Sequence, residues 1–283
     1  MFSELLKQKR FLLTAQAELP GGADVRLFRQ ELAKMKVDAL VFPELSPHVH
    51  LSAFSGALIA KAEKKEPILE FACSQKPIKA IQAELIGASA LEIQNVMCCD
   101  SGNPETDSLA LLKLVKQLNK GLSVDGEKLV GRTNLFAGAK INLSAPSRKE
   151  MEAARKKLLN GAEFFQTTLA FDLAGLESML GEYEKAFKES LRDRVIVSVF
   201  LLSSSEQLAS LKKNALVPPA VEKRMKNASR EMEEGAKISM ELIEKAKSMK
   251  VGGVNLVFDK NFGLLQKAID AVRGQVYACQ SVA

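Results

Sequence analysis

The side chains able to do acid–base, ligand or hydrogen-bonding chemistry fall in short clusters, each just after a β-branched run. The first is Thr14-Ala15-Gln16-Ala17-Glu18-Leu19-Pro20. Strand side chains alternate, so Gln16 and Glu18 share a face. A carboxylate desolvated there gains the raised pKa of a general acid. The second, Phe42-Pro43-Glu44-Leu45-Ser46-Pro47-His48-Val49-His50, has the look of half a metal site. The chain has only 2 His, however, and a catalytic metal takes about three protein ligands. No metal is expected, and Glu44, His48 and His50 are read as lining a polar pocket.

A third cluster is Cys98-Cys99-Asp100-Ser101-Gly102-Asn103. Neighbouring thiols suit redox or soft-metal chemistry, but two small residues on opposite strand faces suit burial equally well. The Asp-Ser-Gly-Asn run is a turn by composition, with amides able to hold a phosphate or a ring carbonyl. Later come Gly138-Ala139-Lys140-Ile141-Asn142 and Phe164-Phe165-Gln166-Thr167-Thr168. Lys140 can meet an anionic tail. Gln166 and Thr168, on one strand face, can hydrogen-bond a heterocycle without carrying charge.

Positioning these clusters takes an alternation of short and long elements. Strands are predicted at Phe11–Ala15, Ala39–Phe42, Ile68–Ala72, Ile93–Met97, Phe136–Asn142, Phe164–Thr168, Val195–Leu201 and Val254–Phe258. Amphipathic helices are predicted between and after them, at Val25–Met35, Phe54–Ala62, Ile78–Gly87, Ser108–Leu118, Lys149–Leu159, Leu173–Ser190, Ser205–Lys212, Ala220–Met249 and Leu264–Val272. Capping boxes are expected at Ser147–Glu150 and Ser203–Glu206, and helix stops at Gly87, Gly161 and Gly252. The loop Gly121–Arg132 reads as an excursion between two units, not as a linker. Alternating βα units imply a parallel sheet. Eight of them imply an α/β fold, a single (β/α)8 TIM barrel over residues 1–283, with chemistry at the C-terminal strand ends. An open doubly wound sheet is disfavoured, because Gly21-Gly22 is not followed by a G-x-G-x-x-G fingerprint.

Composition narrows the functional classes. Lys+Arg 40 against Asp+Glu 34 gives +6 over 283 residues, a modest excess suited to small anions more than to nucleic acid. Trp is absent and Tyr occurs 2 times, so base-stacking platforms are not expected. The apolar run Val195–Leu202 is far short of the roughly 20 residues that span a bilayer. The N-terminal residues do not read as a signal peptide. The 4 Cys lack disulfide-framework spacing, so a cytoplasmic setting is expected.

Taken in order, several segments resemble methylenetetrahydrofolate reductase, especially its short single-domain form. They are Phe11-Leu12-Leu13-Thr14 leading to Pro20 and Asp24-Val25, then Val37-Asp38-Ala39-Leu40, Glu84-Leu85-Ile86-Gly87-Ala88 with Asn95-Val96, and Gly138-Ala139 with Asn142. They continue with Lys157, Gly161-Ala162-Glu163-Phe164-Phe165-Gln166-Thr167, Asp172, Val217-Pro218 and Gly252-Gly253-Val254. The resemblance covers nearly the whole chain. It implies a barrel with a flavin at its mouth, a methylene-bearing reduced pterin stacked on that ring, hydride transfer to give the methyl form, and a homo-oligomer.

The sequence departs from the family pattern in four segments, Gln16 and Leu19 falling in the first. Gln16 stands where the family has its general acid, a Glu. Leu19 stands at the first of two prolines. Ser101-Gly102 replaces a Gly-Asp pair beside the flavin, and Thr167-Thr168 replaces the Thr-Gln that meets the pterin. The flavin-phosphate run reads Ser74-Gln75-Lys76-Pro77. Glu18, Asp100 and Gln166 each restore a lost side-chain type two positions away, a step of about 6.6 Å along a strand. The expectation is therefore a re-sited reductase of a tetrahydrofolate- or tetrahydromethanopterin-type substrate, using FAD or the deazaflavin coenzyme F420. Glu18 would give the proton and Gln16 would hold a ring. Cys98, Asp100, Gly102, Lys140 and Asn142 would contact the cofactor. Glu44, His48, His50, Gln166 and Thr168 would contact the pterin. The alternative is a catalytically silent barrel serving as a binding or assembly subunit.

Overall fold

The computed structural model describes residues 1–44, 49–72, 76–100, 107–213 and 215–280, with side chains through residue 274. The chain opens with α1 (Phe2–Lys7), which the sequence reading missed, and then alternates β1 (Leu12–Gln16), α2 (Arg26–Lys34), β2 (Ala39–Phe42), α3 (Ala53–Ala62), β3 (Pro67–Ala72), α4 (Ile78–Ala90), β4 (Asn95–Cys99) and α5 (Ser108–Leu118). The second half runs β5 (Phe136–Ile141), α6 (Ser147–Leu159), β6 (Phe164–Ala170), α7 (Ala174–Phe187), β7 (Val195–Phe200), α8 (Ser205–Leu211), α9 (Pro219–Asn227), α10 (Glu231–Ser248), β8 (Gly253–Val257) and α11 (Phe262–Gln280). The eight strands pair in sequence order, all parallel, and β8 returns to β1 through Leu12↔Gly253 and Ala15↔Leu256. This closed ring is the (β/α)8 TIM barrel.

Period-2 alternation separates two cores. Outward residues such as Leu13, Leu40, Leu69, Val96, Ala137, Phe165, Val197 and Val254 pack under the helices. Inward residues such as Leu12, Val41, Ile68, Met97, Phe136, Phe164 and Ile196 fill the lower barrel with Phe2 and Leu6 of α1. Phe2 meets Phe164 and Phe136 edge-on, at 5.0 and 6.1 Å between centroids, while those two rings stack at 5.3 Å. Space for the Phe164 ring comes from Gly138 opposite, where a Cβ would stand 2.5 Å from a ring carbon.

Several local expectations are revised. The Ala220–Met249 helix is two, α9 and α10, because Ala228 takes an extended backbone after Asn227. Gly87 lies inside α4, which runs on to Ala90. At α6 the first residue follows Pro146, and Glu150 accepts from Asn142 N instead of closing a box with Ser147. At α8 the cap is Ser204, which accepts from Gln207 N, and Gln207 reaches back to Ser203 N, so the box is shifted by one residue. The extra helices α8 and α9 lean on the rim through a satellite cluster of Phe171, Phe200, Leu208, Val217, Val221, Met225 and Val257. Among the described residues no helix is long and apolar enough to cross a membrane.

Candidate functional site

Above the apolar lower barrel the inward positions turn polar, one strand after another: Thr14 and Gln16 on β1, Glu70 on β3, Cys99 on β4, Lys140 on β5, Gln166 on β6, Ser198 on β7 and Asn255 on β8. Over them, at the C-terminal mouth, opens a cavity of about 1080 Å³. Its floor and walls include Gln16, Glu70, Cys99, Lys140, Gln166 and Ser198, with Lys212, Lys213 and Leu216 at the rim.

The floor carries one ion pair. Lys140 Nζ donates to Glu70 Oε1, their side chains 24% and 12% exposed. Burial pulls the Lys140 ammonium towards neutrality, but the charge of the Glu70 carboxylate and the hydrogen bond to it outweigh that pull, and its pKa lies above the ordinary lysine value. Cys99, just beyond, has its thiol pushed well up by burial and then by the Glu70 carboxylate. It is therefore a protonated, weakly polar wall and not a thiolate nucleophile. Glu70 escaped the sequence reading. The signal was present, since it is the lone charge inside the apolar run Pro67-Ile68-Leu69-Glu70-Phe71-Ala72.

Beside the pair, neutral groups interlock. Gln166 Nε2 donates to Ser198 Oγ at 3.1 Å, and Ser198 Oγ donates to Thr167 O at 2.9 Å. Ser198 N donates to Thr167 Oγ1 at 2.9 Å. One layer down, Thr14 Oγ1 donates to Asn255 Oδ1 at 3.0 Å, leaving Asn255 Nδ2 buried and without a partner among the described residues. A register shift between Gln166 and Leu169 interrupts the β6–β7 pairing. Thr167, Thr168 and Leu169 consequently all border the cavity, which strict alternation did not anticipate. Thr168 Oγ1 accepts from Leu143 N at 3.0 Å and so ties down the loop after β5.

A buried lysine from α6 braces the same wall. Lys157 Nζ, on a side chain 9% exposed, donates to Lys140 O at 2.8 Å and reaches Asp100 Oδ2 at 3.4 Å. Asp100 Oδ1 accepts from Ser108 N at the start of α5, at 2.9 Å. Partial burial works against its ionisation, but the Ser108 amide and the Lys157 charge prevail and its pKa falls below the usual carboxylate value. Asn142 also borders the cavity. Its N–H donates to Glu150 Oε1 at 3.0 Å and its Oδ1 accepts from Ser144 N.

Other candidates are placed differently. Cys98 is 1% exposed in the core between barrel and helices, on the opposite strand face from Cys99, so it cannot contact a cofactor in the mouth. Glu18 does not share the cavity with Gln16. β1 ends at Gln16, and the Glu18 carboxylate turns to accept from Lys260 N at 3.0 Å, in a separate exposed hollow beside Phe28 and Glu31. Glu44 and His50 line a second hollow, between α3 and α4. His48 and Gly102 lie outside the described residues. Among the described residues, no three His, Cys, Asp or Glu side chains gather as a metal site.

No protein-family model matches the chain, and no curated protein matches it either. Among solved structures it is similar to an uncharacterised protein from Clostridium thermocellum that binds two copies of 5-methyl-5,6,7,8-tetrahydrofolic acid. That likeness has a TM-score of 0.75 at 13% identity and covers 98% of this chain and 100% of the other. It is also similar to the EDTA monooxygenase of Chelativorans sp. BNC1, with a TM-score of 0.57 at 11% identity over 95% of this chain and 94% of that one. At such identities the likeness is one of fold.

Proposed function

We propose that the central cavity binds a reduced pterin of the tetrahydrofolate or tetrahydromethanopterin type, and that the protein reduces its 5,10-methylene bridge to the 5-methyl form. The observation that carries this reading is the Glu70–Lys140 pair set in a ring of neutral amides and hydroxyls. The edge of a pterin offers N–H donors from its 2-amino group and N3, next to a 4-oxo acceptor. Glu70 supplies the acceptor for that edge, Lys140 the donor, and Gln16 an amide able to do both. The ligand of the Clostridium thermocellum neighbour belongs to this class of ring.

A second ring also fits. The cavity, about 1080 Å³, slightly exceeds the range of roughly 300–1,000 Å³ usual for one ligand. Gln16, Gln166 and Thr167 would hold the polar edge of a flavin or deazaflavin, with Lys213 near its anionic tail. Bound there in reduced form, FAD or coenzyme F420 would supply the hydride to the bridge carbon as its bond to N10 opens, with the proton for N10 coming from solvent at the open mouth. The chain's own residues bind and orient the pterin and limit water at the floor.

Calorimetry with 5-methyltetrahydrofolate tests the binding step, and Glu70→Gln should weaken it at least about tenfold, the loss of one charge-assisted contact. An anaerobic assay for the methyl product, with reduced flavin or reduced deazaflavin supplied in turn, tests the chemistry. Unchanged affinity in Glu70→Gln would remove the pair from the site. A second reading has its own support. The acids bordering the cavity among the described residues are all engaged: Glu70 with Lys140, Asp100 with Ser108 N and Lys157, Asp107 with Ala110 N, and Glu150 with Asn142 N. Pterin binding without turnover with either donor would make the protein a binding subunit.

A further inference from the structure

The second hollow has a volume of about 690 Å³, within the usual range for a small ligand. Phe54 of α3, Leu69 and Phe71 of β3 and Ala83 of α4 give it apolar walls. Its polar groups are mostly acceptors. Lys76 Nζ is held between Glu44 Oε1 at 2.6 Å and Glu84 Oε2 at 3.0 Å, and Ala72 N donates to Glu44 Oε2. Two carboxylates thus share one ammonium, leaving an excess negative charge. Glu84 Oε1 takes no hydrogen bond from a described residue. His50 Nδ1 lies 2.6 Å from Leu51 O. A carbonyl only accepts, so Nδ1 carries the proton.

A carboxylate oxygen without a described donor, Glu84 Oε1, set between apolar walls in a hollow of net negative charge, selects a flat ring edged with N–H groups. A free anion would meet the carboxylate excess and be repelled. We propose that this hollow is a second pterin-type site, so that the chain takes two rings: one over the Glu70–Lys140 pair and one against Glu84 and His50. The identity of the ring rests on the function proposed above; the site itself rests on the hollow. Glu70 borders both cavities, so it cannot tell them apart, and the test needs variants confined to each.

Gly87 faces the hollow from inside α4, and a Cβ there would stand 3.8 Å from Phe54 Cζ, an ordinary contact. Gly87→Leu therefore fills the hollow without backbone strain. Ala153→Phe, from α6, fills the central cavity instead. Glu84→Gln, which keeps the side chain's shape, guards against a misfolded Gly87→Leu. Calorimetry of the intact chain with 5-methyltetrahydrofolate should give two equivalents, falling to one in Gly87→Leu and to one in Ala153→Phe. Glu84→Gln should weaken one site at least about fivefold and leave the other. Two equivalents persisting in Gly87→Leu, or one equivalent abolished only by Ala153→Phe, overturns the second site and leaves the central one standing. One equivalent abolished only by Gly87→Leu supports the second site and overturns the central one. No binding at all overturns both.

Discussion

Lys140 is the residue whose removal should be felt most at the floor of the mouth, because it would leave Glu70 charged and nearly enclosed. Breaking a buried pair from one side costs roughly 3–5 kcal/mol. The Lys140 side chain keeps 24% of its exposure, so about 2–3 kcal/mol is expected for Lys140→Met. Adding Glu70→Leu should restore much of that, since the uncompensated charge goes with it; urea unfolding midpoints at constant slope would show it. Asp100 gives a pH-dependent case. Its pKa is lowered in the folded state, so its contribution is whole above the unfolded carboxylate value of about 3.9 and is lost as pH falls through the folded value. Asp100→Asn should therefore unfold at lower urea than the parent at pH 7, with the gap narrowing towards about pH 3. Cys98 and Cys99 show what was legible at this scale: opposite faces followed from alternation, but which face looked inward did not. Glu70 was legible as a charge in an apolar strand, yet its partner lies on β5, 70 residues away, and spacing carries no such information.

At the scale of elements, Gly138 and Phe164 form a matched set across β5 and β6. A methyl group at 138 would press on three carbons of the Phe164 ring at 2.5–2.7 Å. Overpacking of this kind costs about 1–3 kcal/mol, and Gly138→Ala should fall at the upper end because the ring is stacked on Phe136 and edge-on to Phe2. In the Phe164→Leu background the same change should cost less, and a double-mutant cycle on urea midpoints would read the difference as coupling. The strands were legible because their outward faces, and the inward faces of the lower barrel, are apolar, and Ala39–Phe42 was located as observed. The register shift after Gln166 was not legible, since it arises from how β6 meets β7. Nor was the break between α9 and α10. Asn227-Ala228-Ser229 interrupts a continuous amphipathic pattern only weakly, and the break goes with α9 burying Val221 and Met225 in the cluster of Phe171, Phe200, Leu208 and Val217. Glu18 was misplaced for a similar reason: alternation puts it beside Gln16 only while the strand lasts, and β1 stops at Gln16.

The whole molecule divides by end. Barrels of this class carry chemistry at the C-terminal mouth and stability at the N-terminal base, and here the base is closed by α1, an element too short and too lightly patterned to be read from sequence. Phe2 is fully buried at 0% exposure, 5.0 Å from Phe164 and 6.1 Å from Phe136, and its amide donates to Glu66 Oε1 at 3.1 Å. Phe2→Ala removes the ring but leaves that hydrogen bond, so the expected loss is the apolar one, about 3–5 kcal/mol for a buried aromatic. The void opens among Leu12, Ile68, Phe136 and Phe164, below the polar layer of Thr14, Ser198 and Asn255, and those groups belong to closed strand pairs that do not run through α1. The urea midpoint of Phe2→Ala should therefore fall sharply. The affinity of the folded fraction for 5-methyltetrahydrofolate, measured well below that midpoint, should match the parent within about twofold. A loss of affinity in step with the loss of stability would mean that base and mouth are one cooperative unit, and that the polar floor depends on the plug beneath it.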